Sequence, residues 1–329
     1  MSDTDTARLA GPPAPRGEHT RYEQSDVLSL MHVFEPPPDG FQPHTANAAL
    51  LRRHGFPRRP DPEQEPRLAQ LWHRAMSRPT RYTRAELAID PVMSQRNPLH
   101  RATAANGHDD FRPGGWGGVV VETAALGFSP AEPAKTVFGQ WAVPGIWPAS
   151  DPSGPITAGF WLGLDGFTNG QVLQAGIAVT VQPDATVSWW AWTEWYTTQY
   201  RDPAVAVTNF PITVGDTVSF LVCAPQPDHG FVSMQNLTTG QATSVGIDAR
   251  PGITSAGASA EWIVEGISAD LPVFLPSVTF GSCSAGTQHN TFDLSPDGII
   301  TNIGGSSAAL TQASIASPTT AVVEWTGWT

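Results

Sequence analysis

Lysine is nearly missing from this 329-residue chain: Lys135 is the single lysine among 18 basic residues. Their distribution is the more telling shortage. Through Arg112 there are 15 arginines against 14 acidic residues, whereas from Pro113 onward only Lys135, Arg201 and Arg250 face 16 acidic residues, a balance of −13. A surface that negative repels phosphate backbones, which excludes nucleic acid as a partner. Its self-repulsion is relieved when carboxylates protonate, and this points to an acidic working environment. No apolar run approaches the roughly 18 residues of a transmembrane helix, so no membrane partner is expected. Met1 to Arg16 is polar and proline-rich, without the apolar centre of a signal peptide. The two cysteines, Cys223 and Cys283, match no zinc spacing and have no histidine beside them; they read as one disulfide or two buried thiols.

What is there divides the chain in two. Residues 1–110 read as a basic leader, broken by proline at Pro12, Pro13 and Pro36 to Pro38. It is expected to be irregular and partly helical, with Thr45 capping a helix over Ala48 to His54 and a second helix from Pro66 to Ser77. The second carries Leu68, Leu71, Trp72 and Ala75 on one stripe. The arginines between Arg52 and Arg84 suit docking on the acidic remainder; an exposed disordered arm is the other reading. From Trp116 the pattern changes to short strands between Gly, Pro, Asn and Asp turns, which predicts an all-β antiparallel sandwich over residues 111–329. Eleven strands are expected, among them Gly117 to Thr123, Ala158 to Leu164, Val172 to Val181, Thr186 to Tyr196 and Ala260 to Glu265.

The period of two sorts these side chains onto faces. Trp161 and Asp165 share a side, Gln174 shares one with Gly176 and Ala178, and Trp190, Trp192, Glu194 and Tyr196 align. Glu261, Ile263 and Glu265 align against Trp262 and Val264. Polar and aromatic residues therefore gather on faces left outside the core, as in a curved sheet with an aromatic-lined open cleft. Ordinary solvent exposure is the plainer account. His229 and His289, the only histidines after His108, lie in no nucleophile-elbow or zinc pattern, and the glycine-rich stretches lack a phosphate-loop context. No metal or cofactor is expected. Chemistry is left to carboxylates, amides and aromatics.

Six segments in order carry a resemblance: Trp116-Gly-Gly, Trp161-Leu-Gly-Leu-Asp165-Gly, Val172-Leu-Gln174-Ala-Gly, Ala191-Trp-Thr-Glu194-Trp-Tyr, Asn236-Leu-Thr-Thr-Gly-Gln and Ala260-Glu-Trp-Ile-Val-Glu265. Together they resemble the glutamic peptidases, or eqolisins, a family of acid-active endopeptidases with a lectin-like β-sandwich fold. The resemblance implies a catalytic pair, Gln174 and Glu265, supported in the cleft by Trp116, Trp161, Asp165 and Glu194. It also implies a polypeptide substrate, a secreted and monomeric enzyme, and a leader acting as propeptide and intramolecular inhibitor. In that reading Glu265 takes a proton from water and Gln174 donates to the oxyanion. Three positions depart from the family pattern: Gly115 replaces Asn, Thr193 replaces Tyr and Ser259 replaces Asn. Two alternatives remain: a β-sandwich glycoside hydrolase using Glu194 and Glu265, and a non-catalytic lectin-like module that stacks sugars on its aromatic residues. The sequon at Asn236 reads as a hairpin tip.

Overall fold

The computed structural model describes residues 24–76, 81–93, 99, 115–128, 132–148, 154–268, 271–304 and 309–327. Two antiparallel sheets stack face to face. One has ten strands, running from Met31–Val33 at one edge through Gln241–Asp248, His229–Asn236, Thr217–Gln226, Thr136–Ala142, Val278–Gly286 and Thr320–Trp325 to Thr311–Ser317. The other has eight, in the order Gly298–Thr301, Gly115–Glu122, Ser259–Gly266, Ile156–Leu164, Gln171–Val181, Val187–Thr197, Val205–Val207 and Leu87–Ile89. All eleven expected strands form. The strands not foreseen are mostly of two to four residues, too short for alternation to register as a period, together with the seven-residue edge strand Thr311–Ser317, whose run of small and polar residues shows little apolar contrast.

Alternation decides what each sheet buries. Phe160, Leu162, Leu164, Trp262 and Val264 point between the sheets and meet Trp141, Phe220 and Phe280 from the facing sheet. Trp141 stacks on Phe220 at 5.1 Å, and Trp262 donates its indole N–H to the Phe138 carbonyl at 2.9 Å. Cys223 and Cys283 are free and buried, and burial pushes both thiols up to about 12, which makes them poor nucleophiles. Asn236 lies inside its hairpin, donating to Asp216 and accepting from the Thr238 and Thr239 amides, so its side chain is spoken for.

The N-terminal region is no loose arm. Its helices, Ala48–Arg53 and Pro66–Met76, lay Leu51, Leu71, Trp72 and Met76 on Phe138, Leu221, Cys223 and Phe231, covering the outer face of the ten-stranded sheet. The cap of the first helix is Asn47, whose side chain accepts from the Leu50 amide at 2.9 Å; Thr45 sits too early to reach that turn. The region also adds strands to both sheets, among them Arg81–Tyr82, which runs parallel to Gln241–Asp248. Met31–Val33 pairs with Gln241–Asp248, and Leu87–Ile89 pairs with Val205–Val207. Among the described residues no leader arginine pairs with a sandwich carboxylate. Arg58 pairs with Glu65 and Arg84 with Glu35, both inside the region, while the described charged contacts that join the parts are Arg250 of the sandwich with Asp26 and His32 with Asp248. Strand addition and apolar packing do the docking.

Trp262 is wholly buried at the centre of the stack. Trp262→Ala should lower unfolding free energy by about 3–5 kcal/mol in denaturant titration; a loss under about 1 kcal/mol would show that the two sheets are not held by this packing.

Candidate functional site

The outer face of the eight-stranded sheet carries the polar residues singled out above. Register places them. Trp116 lies directly opposite Glu265, Glu265 opposite Gly159, Ile263 opposite Trp161, and Glu261 opposite Gly163. Gly163 in turn faces Gln174, and Gln174 faces Glu194. Since alternate residues share a face, Trp116, Trp161, Gln174, Glu194, Glu261 and Glu265 all project to the same side. Trp161 stands on the diagonal between Glu265 and Gln174. Its own packing is tight: a Cβ on the facing Gly176 would lie 2.6 Å from the Trp161 Cα.

Each end of that diagonal is held. The Trp161 indole N–H donates to Glu265 Oε2 at 2.9 Å, and Trp116 closes on Trp161 edge-to-face at 4.9 Å. At the other end Gln174 Nε2 donates to Glu194 Oε2 at 2.7 Å, while the Gln174 side-chain oxygen has no partner among the described residues. Thr193, one of the departures from the family pattern, donates its hydroxyl to the Gln174 carbonyl at 3.0 Å and so steadies the strand beneath it. Glu194 is thus the orienting partner of Gln174, on the side of it away from Glu265. That is not how the carboxyl pair of a retaining glycosidase is set, about 5–5.5 Å apart.

Asp165 is placed differently. With φ of 71° it turns the chain before Gly166, and its carboxylate accepts from the amides of Ala256, Gly257 and Ala258, the Ser255 hydroxyl and the Asn169 amide group. It organises the loop that delivers Ser259–Gly266 to the sheet.

The face was expected to be open, and in this chain it is covered. Glu265, Gln174, Glu261, Trp116 and Trp161 are each 0% exposed. The cover is the N-terminal region: after Leu87–Ile89, the Trp190 indole donates to Asp90, and Asp90 also accepts from the Val92 and Met93 amides. Met93 and Leu99 then join Trp116, Trp161, Trp192 and Tyr196 in one apolar cluster. A Cβ on Gly159, the residue facing Glu265, would lie 3.7 Å from the Met93 methyl. No sequence pattern marked Met93 or Leu99, since single apolar residues in an irregular stretch have no period. A processing site between Ala105 and Gly114, expected where the leader meets the sandwich, lies outside the described residues.

With fold, register and site in place, comparison with known proteins decides the family. The sequence profile of the Peptidase A4 family matches residues 114–325. The chain belongs to the Peptidase A4 family. Its relatives include Aspergillopepsin-2 of Aspergillus niger, 30% identical over 176 residues, a match spanning 52% of this chain and 60% of the relative. Scytalidopepsin B of Scytalidium lignicola is 26% identical over 216 residues, 62% of this chain and 75% of that one. A crystal structure of scytalido-glutamic peptidase with a transition state analog inhibitor shares the fold, with TM-score 0.53 and 24% identity over 64% of this chain and 98% of its own. The Peptidase A4 match bears out the motif order from Trp116 onward and the β-sandwich reading; the region over residues 24–93 lies outside it.

One acid on this face of the Peptidase A4 sandwich has no described partner. Both Glu261 oxygens are buried without a hydrogen bond, across Gly163 from Gln174. Burial, chiefly, raises its pKa well above the ordinary 4.5; the Asp165 charge adds to this, and the nearby Ser259 hydroxyl opposes it without a well-formed bond. The folded state therefore holds a proton that the unfolded state releases. Stability contributed here is complete below about 4.5 and falls as pH rises beyond it, by about 1.4 kcal/mol per unit. Glu261→Gln should flatten that slope in denaturant titrations at stepped pH; an unchanged slope would mean that Glu261 is not neutral in the fold.

Proposed function

We propose that this chain is an acid-active glutamic endopeptidase, with Glu265 as general base and acid and Gln174 as oxyanion donor. The observation that carries this is the two-ended support of the pair on one face, Glu265 by the Trp161 indole and Gln174 by Glu194. With a peptide laid across Trp161, the Glu265 carboxylate takes a proton from water, and the hydroxide adds to the scissile carbonyl. One N–H of the Gln174 amide is committed to Glu194, which leaves the second to meet the oxyanion. Glu265 then returns its proton to the leaving nitrogen as the C–N bond breaks, giving a carboxylic acid and an amine. An acidic, extracellular setting fits both the −13 balance of residues 113–329 and a face that keeps Glu261 protonated.

In the same reading residues 1–110 are a propeptide and 111–329 the catalytic domain. Met93 over Gly159 and Asp90 on Trp190 occupy the ground a substrate would need, so the full chain is latent until this stretch is cut or displaced. The glycosidase reading is not favoured, because Glu194 is committed to Gln174.

The test is hydrolysis of a denatured protein near pH 3–4, with polysaccharide in parallel. Gln174→Ala should lower kcat by about 10²–10³-fold, as loss of an oxyanion donor does, and Glu265→Gln by at least that. Proteolysis surviving both substitutions would refute the pair. The intact chain at neutral pH should be inactive, and activity should appear together with cleavage or release of the N-terminal region; full activity from the uncut, undisplaced chain would refute latency.

A further inference from the structure

Far from the candidate catalytic face, three strand ends converge on the outer surface of the ten-stranded sheet. His32 lies on the edge strand Met31–Val33, Asp248 ends Gln241–Asp248, and His229 begins His229–Asn236, directly opposite Asp248. His32 Nε2 is 2.6 Å from Asp248 Oδ2, and His229 Nδ1 is 2.7 Å from Asp248 Oδ1. The two rings are 5.7 Å apart, and one donor atom from each residue can be chosen so that all lie within 4.8 Å of one another. The residue between the rings is Gly246, which pairs with His32. A Cβ there would stand 3.1 Å from the His32 Cβ and 3.3 Å from the His229 Cε1, so any larger residue would wedge the imidazoles apart.

We propose that His32, His229 and Asp248 bind a divalent transition-metal ion of the zinc class, which staples the first strand of the N-terminal region to the sandwich. Two neutral imidazoles and one carboxylate are a zinc donor set. Zinc–ligand bonds of about 2.0–2.2 Å hold their donors roughly 3–3.5 Å apart, so the two hydrogen-bonded pairs need to part by about half an ångström and the third pair, within 4.8 Å, has to draw in to the same spacing. The freedom to do so is there: the side chains are 46%, 34% and 45% exposed, and water can reach the fourth position of a tetrahedron. No spacing motif marks this set, because His32 lies about 200 positions ahead of His229 and Asp248 in the chain. The strand pairing assembles them. The inference stands whether or not the sandwich is a peptidase.

Because His32 belongs to the N-terminal region and the other two ligands to the family-matched sandwich, the ion cross-links the two parts. Binding only the docked form, it stabilises docking in proportion to its saturation. The test uses the full chain without an affinity tag, stripped with chelator at neutral pH and titrated with Zn²⁺ in a calorimeter. One equivalent should bind, and the thermal midpoint should rise. His32→Ala, His229→Ala and Asp248→Asn should each weaken binding by at least about tenfold, since even loss of an outer-shell partner costs that much. His73→Ala, at the separate His44 and His73 ring contact, should leave it unchanged. If a substituted chain fails to fold, the visible spectrum of Co²⁺ bound to the intact chain provides the second readout, with tetrahedral intensity expected. Absence of stoichiometric binding overturns the proposal, as does binding indifferent to all three substitutions. So does a His32→Ala midpoint loss that is equal in chelator and in zinc, which would mark a hydrogen-bonded clasp only.

Discussion

A sheet face and its adjoining turn, which together bury four carboxyl groups and an amide, are the constraint on which the rest of this molecule depends. Asp165, Glu194, Glu261, Glu265 and Gln174 are each at most 2% exposed, and an ionised carboxylate taken from water without partners is strongly unfavourable. The fold meets this demand in a different way at each position. Asp165 is met by five donors, three of them backbone amides from one loop. Glu265 takes the Trp161 indole, and Glu194 takes the Gln174 amide. Glu261 takes none and is driven towards its neutral form. A site that runs acid and base steps needs carboxyls in unlike surroundings, and this face supplies them.

The same constraint explains the role of the aromatics. Trp161 is at once the donor to Glu265, the partner of Trp116 and part of the cluster that Met93 and Leu99 close. An indole is suited to that position because its single N–H serves the acid while its ring excludes water from both neighbours. Shrinking it would loosen the acid and wet the face together.

Much of this was legible because strands of eight to eleven residues display their period. Trp161, Gln174, Glu194 and Glu265 sort to one face by counting, and the observed register agrees. What counting could not give was occupancy. Alternation distinguishes the core face from its reverse, yet it does not say whether the reverse meets water or another segment. Here it meets Asp90, Met93 and Leu99, which have no pattern of their own. Charge composition misled in a similar way. The arginines suggested electrostatic docking, whereas Arg58 and Arg84 are satisfied locally and the contact is made by strands and apolar helix faces. Asp165 likewise carries the family motif but serves a loop, because a residue at positive φ before glycine leaves the strand's alternation.

How the cover is built bears on how it would leave. The helices over the ten-stranded sheet bury Leu51, Leu71, Trp72 and Met76 against Phe138, Leu221 and Phe231, and losing them would bare a broad apolar face unrelated to the candidate site. The segment over the candidate site is a different matter: Leu87–Ile89 contributes three residues, paired with the three of Val205–Val207 at the sheet edge. Beyond it, Asp90 and Met93 are the described anchors, with Leu99 further along. Local opening free energies follow the buried contacts and backbone bonds that each unit must break. The described contacts of the strap are separate from those of the helices, so the helical part can stay docked while the face opens. A cation joining His32 to His229 and Asp248 would reinforce the part that stays, leaving the exposure of Glu265 to the strap alone.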